Sequence, residues 1–166
     1  MKVLVPVDAS SVALAPIAHL RALGASGVEI EVLLLNVQPR FHRHIAQFSS
    51  RRARDLLRQE RSQLAMAKAI EALSHTRLLW RAFTEVGRPA ERIAAVAERE
   101  QVDEIVMGTG RHPQWLRWLN PSIAQAVMER TDIPVTVLAR GKVGALQRYG
   151  VPAGIAGLAA LLWAVE

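Results

Sequence analysis

The sequence predicts an α/β domain: an open five-stranded parallel sheet in the order 3-2-1-4-5, with helices on both faces. Three observations lead there. Short apolar runs alternate with stretches of helical periodicity over residues 1–140, five runs and four helices in turn, which favours parallel strands joined by right-handed crossovers. Glycines and prolines punctuate the joints. The stretch Ile105–Ser122 then reads as an apolar strand, a loop with two glycines, and a helix start at Asn120-Pro121-Ser122. In a three-layer domain that arrangement brings backbone N–H groups and a positive helix end to the carboxyl edge of the sheet, where phosphates bind.

The elements follow in order. Lys2–Val7 is a short apolar strand, and Asp8-Ala-Ser-Ser11 offers capping groups for a helix over Val12–Leu23, with Pro16 early in it. Gly24 to Gly27 break the chain. Val28–Leu35 begins with alternation and ends as a continuous apolar run, the pattern of a strand entering a buried sheet. Gln38–Phe48 is loop, and Ser49 or Ser50 opens a long helix to about Leu73, with Leu57, Leu64, Ala67 and Ile70 near one stripe. Arg77–Glu85 is the third strand, and Pro89 suits the first position of a helix over Ala90–Gln101 that carries Ile93, Val96 and Ala97 on one face. Val102–Met107, Pro121–Thr131 and Ile133–Ala139 complete the series as strand, helix and strand.

Composition narrows the function classes. The 166 residues suffice for one well-buried core, and the absence of cysteine excludes disulfides, thiol catalysis and Cys-based zinc sites. The amino-terminal run has no long apolar h-region or small-residue cleavage site, so it reads as a strand, and the cytoplasm is the expected compartment. Of the net charge of +6, most comes from Arg40, Arg43, Arg51, Arg52, Arg54, Arg58 and Arg61, set against Asp55 and Glu60. Without interleaved aromatics beyond Phe41 and Phe48, this run reads as a solvated helix face and its preceding loop, and nucleic acid is not the expected partner. His42 and His44 lack a third ligand nearby, and His19, His75 and His112 sit in no recognisable catalytic set. No enzymatic activity is assigned.

With these elements in place, the chain resembles the universal stress protein family over about residues 1–140. Val3-Leu-Val-Pro-Val-Asp-Ala-Ser10 is similar to its opening strand and acidic turn, and Leu33-Leu-Leu-Asn-Val37 to its second strand end. Gly87-Arg-Pro-Ala-Glu91 resembles the turn before its third helix, and Asp103-Glu-Ile-Val-Met-Gly108 its fourth strand. The resemblance implies an adenine-nucleotide α-hydrolase-like fold, and a loop of pattern Gly-x2-Gly-x9-Gly-Ser/Thr in nucleotide-binding members. Counted from Gly108, the glycine positions fall on Arg111 and Pro121, and the hydroxyl position on Ser122. Gly110 stands one residue early, where a shifted register would use it. Asp8, Val37, Met107, Gly108, Gly110, Arg111 and Ser122 are thus the candidate nucleotide-site residues that the resemblance implies.

Two of three glycine positions are altered. Pro121 has no N–H to give a phosphate, and Arg111 places a Cβ where close backbone approach is needed. The expectation is impaired ATP binding and no bound cofactor. The alternative is an ATP–magnesium site in which Arg111 ligates phosphate directly and Asp8 holds the metal. Trp115, Leu116, Trp118 and Leu119 make the intervening loop apolar, fit to pack over the sheet edge, fill the site or meet a partner.

Residues 141–166 form an apolar extension outside the family pattern. Tyr149–Val165 carries no charge, and as a helix at ~1.5 Å per residue would reach about 25 Å, short of the ~30 Å hydrocarbon core. Packing on protein is the first expectation, and membrane contact through Tyr149–Val165 the second. Members of the family commonly dimerise through the last strand, which implies a homodimer through Ile133–Leu138, an apolar edge that invites pairing. The resulting reading is a stress-response binding or signalling module with an unidentified protein partner. The alternatives are an ATP-binding, slowly hydrolysing stress protein and a membrane-associated adaptor.

Overall fold

In the computed structural model the described residues are 1–8, 14–40, 50–109 and 123–139. They form β1 (Lys2–Val7), α1 (Leu14–Ala25), β2 (Glu31–Gln38), α2 (Arg51–Ser74), β3 (Leu79–Val86), α3 (Pro89–Arg99), β4 (Glu104–Thr109), α4 (Ile123–Met128) and β5 (Val135–Ala139). The strands make one sheet in the order β3-β2-β1-β4-β5, every pair parallel, as the alternating pattern predicts. Proposed boundaries at Val12 and Pro121, and the extension 141–166, fall outside the described residues.

Side-chain alternation along the strands sorts the core into two layers. Val3, Val5, Val7, Val32, Leu34 and Val106 face Ile17 and Leu20 of α1 and Met66, Ala69 and Leu73 of α2. Leu4, Leu33, Leu35, Ile105 and Met107 face Ile93, Val96 and Ala97 of α3 and Val127 of α4. β1 lies at the centre, with Val3, Leu4 and Val5 fully buried, which is why its sequence is apolar without interruption.

Strands begin later than the apolar pattern suggests. Gly27 turns the chain at φ +92°, a conformation that favours glycine, and the Val28 N–H still bonds back to the Leu23 carbonyl. The ladder starts only where the Glu31 N–H donates to the Met1 carbonyl at 2.9 Å, so β2 runs over Glu31–Gln38. Likewise α3 stops at Arg99 because Gln101 adopts a left-handed φ of 50°, and the Val102 N–H closes the end on the Ala97 carbonyl at 3.1 Å. Asp103 then anchors the next strand, its N–H on the Lys2 carbonyl and its carboxylate accepting from the Lys2 N–H at 2.6 Å.

The long helix corrects the expected stripe. Ser50 caps it, its hydroxyl accepting from the Ala53 N–H at 3.1 Å. The buried face is Ser62, Ala65, Met66, Ala69 and Leu73, with Ile70 packed beside it, whereas Leu57 and Leu64 are exposed and Ala67 faces solvent. That face is set by helical phase, small side chains alternating with Met66 and Leu73 at spacings of three and four, and Leu57 and Leu64 fall outside it. Asp55 pairs with Arg58 at 2.9 Å, one turn on, and not with Arg51 as the i,i+4 spacing suggests.

Candidate functional site

Four of the seven candidate residues, Asp8, Val37, Met107 and Gly108, lie toward the carboxyl edge of the sheet. β1 and β4 pair through Leu4 and Ile105, and Val7 and Gly108 each lie three residues beyond that rung on the same side. Asp8, exposed, follows directly, so Asp8 and Gly108 share the point where the strand order reverses. Met107 is buried in the layer beneath α3 and α4, and Val37 is half-buried against the same layer. These two side chains therefore present an apolar wall on one sheet face beside the Asp8 and Gly108 tips. Gly110, Arg111 and Ser122 lie outside the described residues, as do Trp115 and Trp118.

Beneath this edge lies a buried polar chain that the sequence reading missed. Asn36 is 3% exposed; its Nδ2 donates to the Val7 carbonyl at 2.8 Å, and its Oδ1 accepts from Gln38 Nε2 at 2.6 Å. The Ser62 hydroxyl meets the Thr84 hydroxyl one strand further out, and Asn36 stands opposite Thr84 in the ladder. The available signal was Asn36 and Gln38 at period two inside an apolar strand, on the α2 side. The Asn36 bond to Val7 ties the tip of β2 to that of β1, with Gln38 holding the Asn36 amide in place, directly before Asp8 emerges.

The amino edge is electrostatic in another way. Glu100 pairs with Lys2 at 3.7 Å, Arg81 at 3.3 Å and Arg99 at 3.4 Å, joining β1, β3 and α3. Desolvation pushes the Glu100 carboxyl up, but the hydrogen bonds from Arg99 and Arg81 and the charges of Arg81 and Lys2 outweigh it and hold the group below its ordinary value. The Arg99 guanidinium is raised, chiefly by its hydrogen bond to Glu85. A cleft of about 880 Å³ opens at this edge, lined by Met1, Arg21, Val28, His75, Arg77 and Leu79, at the opposite end of the strands from Asp8.

Among the described residues the histidines stand apart from the candidate site. His75 is the C-cap residue of α2 and lines the amino-edge cleft, and His19 is half-buried in α1. Among the described residues no three His, Cys, Asp or Glu side chains could hold a metal, and no helix is long and apolar enough to cross a membrane.

Over residues 1–139 the chain matches the model of the universal stress protein family. Among solved structures it is similar to the hypothetical protein MJ0577, with 26% identity, 85% of this chain and 96% of that one covered, and a TM-score of 0.64. It shares its fold with a universal stress protein family protein from Arabidopsis thaliana solved with AMP bound, at 17% identity, 85% and 92% coverage and a TM-score of 0.61. It shares it also with a universal stress protein in complex with cAMP, at 16% identity, 83% and 96% coverage and a TM-score of 0.63. No curated protein matches the chain. The family match spans every described element, and the strand order agrees with it: this chain belongs to the universal stress protein family.

Proposed function

We propose that this protein is a stress-response binding or signalling module, homodimeric through its last strand, whose nucleotide site is impaired. The observation that carries the reading is the pair Arg111 and Pro121 at the glycine positions of the phosphate loop. The Arabidopsis neighbour is solved with AMP and another neighbour with cAMP, so adenine nucleotides are the ligands to test. The donors at the two ends of the site differ. Val37 and Met107 offer an apolar wall and Asp8 a carboxylate, which suit a base and a ribose. The phosphate end lacks the Pro121 N–H and carries a side chain at 111, which does not suit a triphosphate cradle. No hydrolytic step is assigned.

Calorimetry with ATP and magnesium tests it. The native chain is expected to bind weakly or not at all, because each lost charge-assisted hydrogen bond costs about 1.5–3 kcal/mol. The double change Arg111→Gly with Pro121→Gly should restore binding through Asp8, Val37 and Ser122. Micromolar binding by the native chain, weakened by Arg111→Ala, would reject this reading in favour of arginine-assisted phosphate recognition.

A further inference from the structure

A second cleft, of about 460 Å³, lies at the carboxyl edge between the end of β2 and the β3–α3 turn, lined by Pro39, Arg40, Gly87, Arg88, Arg92 and the flanking Pro89 and Glu91. It stands on the β2–β3 side of β1, whereas Gly108 stands on the β4 side. The Gly87 N–H donates to the Gln38 carbonyl at 3.0 Å, which holds the two walls together.

Three arginines line this cleft against one acidic residue, Glu91. Arg88 pairs with Glu91 at 3.0 Å, but among the described residues neither Arg40 nor Arg92 makes a side-chain hydrogen bond or ion pair. Arg92 is half-buried and folds back over Gly87, so closely that a Cβ added there would stand 2.7 Å from its Nε and 3.0 Å from its Cγ. Glycine at 87 is thus what lets the Arg92 side chain lie against the turn. Arginines gathered in a concave site, two of them without a side-chain partner among the described residues, make a receptor for a planar or tetrahedral oxyanion, which guanidinium groups bind in bidentate fashion.

We infer that the Arg40–Arg88–Arg92 cleft binds the phosphate group of a small molecule, separately from the nucleotide site at Gly108. The inference does not rest on whether ATP binds.

The test is amide NMR titration of the full chain with inorganic phosphate and with glycerol phosphate, at low salt. Saturable shifts at Gly87, Arg88 and Arg92 are expected for at least one. Preference for the ester assigns a phosphorylated metabolite, and equal affinity assigns the free ion. Arg40→Gln with Arg92→Gln should weaken binding at least tenfold, and Gly87→Ala, which moves Arg92 without removing charge, at least threefold. Arg51→Gln with Arg52→Gln removes the same charge from α2 and should leave affinity within twofold. Absence of saturable shifts with both probes overturns the inference, and so does equal weakening by the α2 control.

Discussion

Replacing Asn36 by alanine should destabilise the fold far more than its modest size suggests. The side chain is 3% exposed and holds two partners, the Val7 carbonyl at 2.8 Å and Gln38 Nε2 at 2.6 Å. Alanine removes both bonds and admits no ready substitute from solvent. A buried group left unpaired costs ~1–3 kcal/mol, so two such groups give a loss of about 2–6 kcal/mol. That is a large share of the ~5–15 kcal/mol that holds a typical domain together. Urea denaturation followed by circular dichroism reads it, as a lowered midpoint with an unchanged slope. Because Gln38 shares one of the bonds, Gln38→Ala should be partly redundant with Asn36→Ala, the pair falling short of additivity by about 1 kcal/mol. A loss below about 0.5 kcal/mol for Asn36→Ala, or strict additivity of the pair, would refute the claim that these bonds tie the β1 and β2 tips.

Two further expectations concern the edges of the sheet. If β5 pairs two copies, Val137→Lys should convert a dimer to a monomer in sedimentation at micromolar concentration with the circular dichroism spectrum retained; a monomeric native protein, or an assembly indifferent to the charge, rejects the pairing. At the amino edge, the folded-state carboxyl of Glu100 lies below its ordinary value of 4.5, so its pairing stabilises the fold above that pH and the contribution fades as pH falls through the lower folded-state value. The stability difference between the native chain and Glu100→Gln should accordingly be flat near neutrality and shrink in acid, and a difference that grew on acidification would contradict the assignment.

Element types and strand order were legible because the physics behind them is local. β1 is apolar throughout because it is the central strand, and Ile93, Val96 and Ala97 mark the α3 stripe because that helix meets the sheet with its larger side chains. The α2 stripe was not legible. Leu57 and Leu64 attract any count of hydrophobic residues, yet the face that meets the sheet is Ser62, Ala65, Met66, Ala69 and Leu73. Strand starts were misplaced for a similar reason: Val28 belongs by composition to β2, but the Gly27 turn and the bond to Leu23 keep it outside the ladder. Of the site, the pattern located the edge where Asp8, Val37, Met107 and Gly108 stand. The period-two pair Asn36 and Gln38 was the one hint of the polar chain beneath them, and it stayed unread because tertiary contacts decide whether a strand asparagine is buried and bonded.

The two rims of the sheet differ in kind. On β3, Arg81 is tied to Glu31 at 3.1 Å and Glu85 to Arg99 at 3.0 Å, so an incoming strand would meet charges already engaged and costly to strip of water. β5 offers Val135, Thr136, Val137 and Leu138, none of them ionisable. Chains with two adhesive rims can add end to end without limit. A chain with one such rim is self-terminating: two copies meeting there close a twofold pair, and each then shows the surroundings only its guarded side. If β5 pairs two copies, the engaged charges on β3 leave that pair no second adhesive rim.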